Sequence, residues 1–429
     1  MTPSARLAAA INLLTEMEAA PRRPADATAN SFFRARRFIG GGDRRAISAI
    51  VWDVLRHWRR AGWLIEQAGG EATPRLRVAA GQILSGSRFG DVAQAFVEGR
   101  FAPGALSRDE RRVIETLAAD KKDQAAMPRA VRLEVPDWLL PSLEATFGDA
   151  LESELAAMDG EATLDLRVNT LRCNREEARQ ALAKDGLRPE LTALSPWGLR
   201  LPGRQPVTAC AAFKDGLVEI QDEGSQLVVA MLGARPDMRV LDYCAGAGGK
   251  TLAIAMMMQN RGHIVACDVS VPRLDGAVKR LRRAGIHNAE RHLLVPGDKW
   301  AKRRAGSFDR VLVDAPCTGT GTWRRNPDAR VRIVEDDLRE LTVKQAEILD
   351  RAAALVRPGG RLVYATCSIL NDENRDQITA FLSRHPAFAL ALPDAEEVPQ
   401  AFAASSMLSL TPAQNGTDGF FAAILERKE

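Results

Sequence analysis

The sequence predicts an α/β protein whose main domain is a mostly parallel sheet covered by helices on both faces. A small α/β module and an all-helical N-terminal domain precede it. Three observations carry this prediction. From Met238 onward strand-like and helix-like segments alternate; the first 130 residues show helical spacing of apolar side chains; between them lie short strand-like runs punctuated by proline and glycine. Strand–helix alternation builds βαβ units and hence a parallel sheet. The chain has 429 residues, 46% of them hydrophobic and 27% charged, enough for two or three domains.

In chain order, residues 1–130 read as five to seven helices. DRRAISAIVWDVLRHWRRAGWLIEQ places Ile47, Ile50, Val51, Val54, Leu55 and Trp58 on one apolar stripe. LRVAAGQILSG and RDERRVIETLAA repeat the spacing more briefly, and Gly40–Gly42 break the chain before Asp43, an expected N-cap. Residues 131–235 form the small module. VPDWLLPSLEATFG is a helix ending near Gly148, LDLRVNTLR alternates like a strand, and NREEARQALAKDG is a capped helix ending at Gly186. LRPELTA, GLRLPG and GLVEIQD are short strands. Residues 236–429 then read MRVLDYCA (strand), KTLAIAMMMQN (helix), HIVACDVS (strand) and PRLDGAVKRLRRAG (helix). RHLLV and FDRVLVDAP follow as strands, LTVKQAEILDRAAALV as a helix and RLVYATCS as a strand. Ligands of such sheets bind at the carboxyl ends of the strands. Asp242, Asp268, Asp314 and Cys367 fall there.

Formal net charge is +4, but basic residues cluster: Arg34, Arg36 and Arg37, Arg44 and Arg45, Lys279 to Arg283, and Lys302 to Arg304. Such clusters serve either as solvated helix faces or as phosphate contacts to nucleic acid. No run reaches the ~18 apolar residues of a membrane span. The N-terminal stretch reads as an amphipathic helix rather than a signal peptide. Six cysteines stand singly, with no C-x-x-C pair. That predicts free thiols, no metal and a reducing, cytoplasmic setting.

LDYCAGAGGKT, residues 241 to 251, ends like a phosphate-binding P-loop. The loop motif needs glycine five positions before Gly249, where this chain has Cys244. The better reading is a glycine turn, Gly246-Ala247-Gly248-Gly249, that opens a helix and lets backbone approach a ligand. About twenty residues on, Asp268 ends the next strand, where an acid accepts hydrogen bonds from ribose hydroxyls. A nucleoside-bearing cofactor is expected, either a nicotinamide dinucleotide or S-adenosylmethionine.

Two stretches separate these cofactors: DAPCTGTGTWRRNPDARVR, residues 314 to 332, and YATCSILNDEN, residues 364 to 374. Each sets a cysteine just past a strand. Hydride transfer needs no such pair; methylation at C5 of a pyrimidine does. That carbon is a poor nucleophile until a thiolate adds to C6 and makes the ring an enamine. A base then removes the C5 proton and the thiolate leaves. An acid such as Asp314 near N3 of the base holds the ring and favours the addition.

With these residues in hand, the sequence resembles the RsmB/Nop (Sun/Fmu) family of RNA cytosine-5 methyltransferases. LDYCAGAGGKT is similar to that family's cofactor loop, VACDVSVPRL to its ribose-binding turn, VLVDAPCTGTG to its Pro-Cys motif, YATCSILNDEN to its Thr-Cys motif and TDGFFAAILER to its last strand. The likeness covers about residues 130–429; GGGDRRAISAIVWDVLRH resembles more loosely a NusB-like RNA-binding domain. The resemblance implies a Rossmann-like class I methyltransferase domain with a seven-stranded sheet, an RNA-recognition-like α/β module before it, and a 16S rRNA or small-subunit particle as partner of a monomer. It implies Cys367 as nucleophile and Cys317 as the group that releases product, acting as or through the base. It places Cys244, Ala245, Gly246, Ala247, Gly248, Gly249 and Lys250 around S-adenosylmethionine. Asp268 and Arg273 sit by its ribose side, Asp298 by the adenine, Asp314 between cofactor and cytosine, and Lys250 near the reacting centre. The family loop usually has proline where this chain has Ala247, which loosens the turn without removing a ligand atom. Arg324 and Arg325, beside the Pro-Cys loop, are candidate RNA contacts. Cys173, Cys210 and Cys267 read as packing, Trp323 likewise, and the methionines at 256 to 258 as core. Three other readings stay open: a methyltransferase acting on tRNA, a DNA cytosine-5 enzyme, which would use the Pro-Cys thiol as nucleophile, and a ribosome-assembly RNA-binding factor without activity.

Overall fold

The structure, a computed structural model, describes residues 1–119, 126–394 and 398–428. It divides into two compact units: Met1–Asp159 with Arg325–Glu335, and Gly160–Arg324 with Asp336–Glu429. The first unit is helical: α1 (Pro3–Glu18), α2 (Ala25–Ala35), α3 (Gly41–Arg56), α4 (Trp58–Gln67), α5 (Pro74–Leu84), α6 (Phe89–Ala95), α7 (Arg108–Ala119), α8 (Arg129–Arg132), α9 (Leu140–Phe147) and α10 (Leu151–Asp159). Its core gathers Leu13, Leu14, Ile47, Val51, Ile65 and Ile114, all wholly buried. The predicted stripe at 47–55 faces that core, but the chain breaks at His57 (φ −111°, ψ 27°), so Trp58 opens α4 instead of closing α3. Asp43 is not the N-cap. Gly40 takes that position in extended conformation, and Asp43 sits in the first turn, where its carboxylate meets the N-terminal ammonium and Arg6. A negative charge is favoured there by the helix dipole.

The second unit holds two sheets. β1 (Leu164–Val168), β2 (Glu190–Leu191), β3 (Gly198–Leu201) and β4 (Val218–Ile220) make an antiparallel sheet of order β2-β3-β1-β4. It is backed by α11 (Arg175–Lys184) and α12 (Ala211–Lys214). Asn174 starts α11 with a capping box to Glu177, as the sequence predicts.

After α13 (Glu223–Ala230) the larger sheet begins: β5 (Arg239–Asp242), α14 (Gly249–Met257), β6 (His263–Asp268), α15 (Val271–Ala284), β7 (Ala289–Leu293), α16 (Trp300–Arg303) and β8 (Phe308–Asp314). α17 (Asp328–Arg332), α18 (Glu335–Ala353), β9 (Val356–Thr366), α19 (Arg375–Arg384), β10 (Phe388–Leu390), β11 (Met407–Leu410), α20 (Pro412–Asn415) and β12 (Phe420–Arg427) complete the chain. Strand order is β10-β12-β9-β8-β5-β6-β7, with β11 also paired to β12. β5 to β9 run parallel; β12 returns antiparallel to β9. The order reverses between β5 and β8, the switch point at which such sheets open a ligand crevice.

Compactness does not follow the sequence boundaries drawn at 130 and 235. Helices α8 to α10 belong to the first unit. The small sheet is locked to the large one by buried polar ties: Arg167 donates to the Gly249 carbonyl (3.0 Å), and Asn169 donates to the Ala284 carbonyl (2.9 Å).

Candidate active site

Past β5 the chain must turn sharply into α14, and only glycine takes the required backbone without strain. Gly246 has φ +55° and Gly248 φ +78°. Gly248 also has α15 against it: a Cβ there would lie 3.0 Å from that of Ala277. From the same helix Arg280 donates to the Ala247 carbonyl at 2.8 Å, so the carbonyl scaffold of the turn is held despite the absence of proline. At the end of β6, Asp268 is almost wholly buried and accepts from Gly246 N–H (2.9 Å) and Ser270 N–H (2.8 Å). The glycine turn and Asp268 are thus one assembly.

They line a cavity of about 940 Å³ at the carboxyl ends of the strands. Cys244, Ala245, Gly246, Ala247, Asp268, Arg273, Asp298, Asp314, Cys317 and Cys367 all border it. Asp298 is steered from two sides: it accepts from Trp300 N–H (2.8 Å) and meets His292 Nε2 (2.8 Å), whose ring stacks on Trp300 with centroids 4.5 Å apart. Bonding to the Trp300 amide outweighs desolvation and, with His292, holds Asp298 below the usual carboxylate range.

The two cysteines come from neighbouring strands. β8 ends at Asp314 and β9 at Thr366, and the loops beyond them are laced together. Ala315 N–H donates to the Ala365 carbonyl (2.8 Å), and Gly321 N–H to the Cys367 carbonyl (2.9 Å). Cys317 Sγ lies 3.5 Å from Cys367 Sγ. The bond to Cys367, then burial, hold Cys317 as the thiol well above its ordinary pKa. Either sulfur can be the donor in this pair. Lys250 Nζ donates to Asp314 at 2.6 Å. Burial alone lowers the pKa of Lys250, but Asp314, followed by Cys367 and Asp242, raises it above the usual value and keeps the ammonium charged.

Comparison with known proteins agrees with this geometry. A family model described as 16S rRNA methyltransferase RsmB/F matches residues 229–426, and a model of the RsmF/B-like ferredoxin-like domain matches residues 135–208. A Synechocystis protein named probable ribosomal RNA small subunit methyltransferase B is 33% identical over 413 residues, 90% of this chain and 91% of that one. The chain belongs to the RsmB/F methyltransferase family. Among solved structures, that of PH0851 matches with a TM-score of 0.79 at 28% identity, covering 100% of this chain and 99% of the other. A methyltransferase homolog protein from Pyrococcus horikoshii matches with a TM-score of 0.59 at 27% identity, covering 70% of this chain and 97% of its own.

Not every predicted site residue of this RsmB/F chain faces the cavity. Gly248, Gly249 and Lys250 stand behind its wall, where the glycines shape the turn and Lys250 reaches Asp314. Cys244 borders the cavity, where burial and then Asp314 push its thiol up. Asp242 is wholly buried and accepts from Thr251 (2.7 Å), which makes it a brace of the turn. Cys210 and Cys267 are buried and Cys173 is half-buried in the cores. Arg324, the expected RNA contact, is buried. Its side chain is 7% exposed and pairs with Asp418 and Asp222, which no phosphate could replace without stranding two carboxylates. Arg325, the next residue, is half-buried.

The sequence predicts a helix over 341–356, where α18 stands, but not that α18 borders the site. Lys344, Ile348 and Arg351 reach the cavity from α18, and Gln345 is wholly buried beneath. The buried side of this helix carries a glutamine among its apolar residues, which hid its part in the site.

Proposed function

We propose that this chain transfers a methyl group from S-adenosylmethionine to C5 of a cytosine in RNA, with 16S rRNA as the substrate. The observation that carries this reading is the Cys317–Cys367 pair, 3.5 Å apart, on the edge of a cavity that also holds the glycine turn and Asp268. The residues fit the cofactor. The turn offers Gly246 with open space where a side chain would stand, Asp268 retains acceptor capacity for ribose hydroxyls, and Asp298 is oriented for an adenine edge. When bound, S-adenosylmethionine supplies an electrophilic methyl sulfonium. At about 940 Å³ the cavity lies at the upper end of ligand-pocket volumes, roughly 300–1,000 Å³, which leaves room for a flipped base beside a cofactor.

The chain's residues then divide the work. Cys367 adds as thiolate to C6 of the cytosine, and its negative charge is stabilised by the ammonium of Lys250 and the thiol of Cys317. The C6 addition moves the electron pair to C5, which would take the methyl group as that group's bond to the sulfonium sulfur breaks and its pair stays on sulfur. Asp314, held by Lys250, faces N3 and orients the ring. A base acting through Cys317 takes the C5 proton; the C5–H electron pair re-forms the C5=C6 bond as the C6–S bond breaks and returns the Cys367 thiolate.

The test is covalent trapping. Cys317→Ala and Cys367→Ala are each incubated with 16S rRNA, small-subunit particles and S-adenosylmethionine, then run on denaturing gels. Cys317→Ala is expected to accumulate a slow, nuclease-sensitive protein–RNA band and Cys367→Ala none. The reverse pattern would swap the two roles. Absence of a band from either, with cofactor still bound, would point to an RNA-binding factor.

A further inference from the structure

Two loops from two strands hold their thiols 3.5 Å apart, and one buried carboxylate ties them. Glu373 is wholly buried. It accepts from Thr318 N–H (2.8 Å), from Thr318 Oγ1 (2.5 Å) and from Gln345 Nε2 (2.9 Å). The same Gln345 nitrogen donates to the Pro316 carbonyl at 3.0 Å. Both neighbours of Cys317 are therefore tied to Glu373, Thr318 directly and Pro316 through Gln345.

The other end of the network holds Cys367 in the same way. Asn374, next to Glu373, accepts from Thr366 Oγ1 (2.5 Å) and donates to the Ser368 carbonyl (2.9 Å), so both neighbours of Cys367 are tied as well. Tyr364, on β9, donates to the Glu373 carbonyl (2.7 Å) and fixes the turn to the strand. The hydrogen-bond partners of the Glu373 carboxylate are an amide, a hydroxyl and a carboxamide, none of them cationic. A buried charge without a cation is costly, and a tie alone would be served by a neutral side chain.

We propose that Glu373, with Gln345, is a positioning residue for product release: it sets Cys317 against Cys367 so that the cysteine adduct on the base can be resolved. This rests on the covalent reading above. The charge also acts on the sulfur itself, adding to the bond from Cys367 and to burial in raising the pKa of Cys317.

Glu373→Gln and Glu373→Ala separate tie from charge. A glutamine can keep every contact: its oxygen accepts from Thr318 N–H and Gln345, and its amide donates to the Thr318 hydroxyl. With the full chain, 16S rRNA and S-adenosylmethionine, three quantities are read: cofactor affinity, methyl transfer in a single turnover, and decay of the protein–RNA adduct. Glu373→Ala is expected to bind cofactor and transfer one methyl as wild type does, but to release its adduct roughly 100-fold more slowly, the size of effect that a small misplacement produces. Glu373→Gln is expected to restore release, with the Cys317-dependent limb of its pH profile moved to lower pH because the carboxylate no longer holds the proton on sulfur. If Glu373→Ala does not fold, Gln345→Ala, which frees Pro316, carries the test with the same expected slow release. Wild-type release in Glu373→Ala and in Gln345→Ala overturns the proposal, as does parallel loss of cofactor affinity, transfer and release. An adduct from Cys317→Ala with none from Glu373→Ala or Gln345→Ala sinks the positioning role alone. No adduct from Cys317→Ala sinks the covalent reading and this proposal with it.

Discussion

Asp242 ends β5 with one carboxylate oxygen accepting from Thr251 and the other, Oδ1, without a hydrogen-bond partner among the described residues. Burial raises its pKa from 3.8 to about 7. The folded state thus binds a proton that the unfolded state has released between these values, and its contribution to stability is lost as pH rises from about 4 to about 7. Asp242→Asn, an uncharged near-isostere, removes this term. Denaturation in urea at several pH values is expected to show wild type falling relative to Asp242→Asn by on the order of 1 kcal/mol per pH unit across that window. A difference that does not change with pH would mean that the carboxyl is ionised throughout. Arg324 is the opposite case, a buried cation between Asp222 and Asp418. Arg324→Ala strands two carboxylates and is expected to cost about 3–5 kcal/mol in urea unfolding, while RNA affinity of the remaining folded protein stays at the wild-type value. The contrast explains what was legible at this scale. Cys317, Cys367 and Asp268 could be read because strand, turn and chemistry lie within a few residues of each. Arg324 could not, because its partners lie 94 and 102 positions away in the chain.

At the scale of elements, the turn between β5 and α14 ties backbone conformation to the distance between α14 and α15. Gly248→Ala places a side chain where φ is +78° and where Ala277 stands 3.0 Å off. Strain of about 1–2 kcal/mol is expected from the left-handed backbone alone, and α15 must also shift. Since Arg280 on α15 holds the Ala247 carbonyl, that shift disturbs the turn itself. Gly248→Ala is expected to weaken S-adenosylmethionine binding by about tenfold or more in calorimetry, equivalent to roughly 1.4 kcal/mol. Gly246→Ala has open space for its side chain and faces only the backbone penalty. The long elements were readable because periodicity repeats: β5, β6 and β8, and helices α11, with its N-terminal cap, and α15, stand within a few residues of expectation. β10 and β11, with three and four residues, carry no period to detect and exist because β12 offers them an edge. α18 begins at Glu335, six residues before the expected start at Leu341, because its first turns are too acidic and polar to show an apolar stripe.

For the whole molecule, the division of the chain has a consequence that neither composition nor motif revealed. Residues Arg325–Glu335, which leave the Pro-Cys loop before α18, belong to the helical unit. Asp328 accepts from Ala25 N–H at 3.0 Å, Arg330 pairs with Asp159 while 5% exposed, and Ile333 is buried. Such a placement depends on contacts across some 170 to 300 positions of sequence, which local patterning does not encode. It predicts that the catalytic unit is not freed by cutting the chain at Gly160. A protein beginning there keeps 325–335 but lacks Ala25, Asp159 and the core that covers Ile333. Trypsin is expected to cleave it rapidly after Arg330 or Arg332, sites that the full chain protects, and to do so before the large sheet is attacked. Replacing 325–335 in the shortened protein by a short Gly/Ser linker is expected to remove the cleavage and restore solubility, because the apolar residues that had lost their cover are gone. Equal protection of Arg330 in the shortened and full chains would show that the segment is held without the helical unit, and the division drawn here would fail.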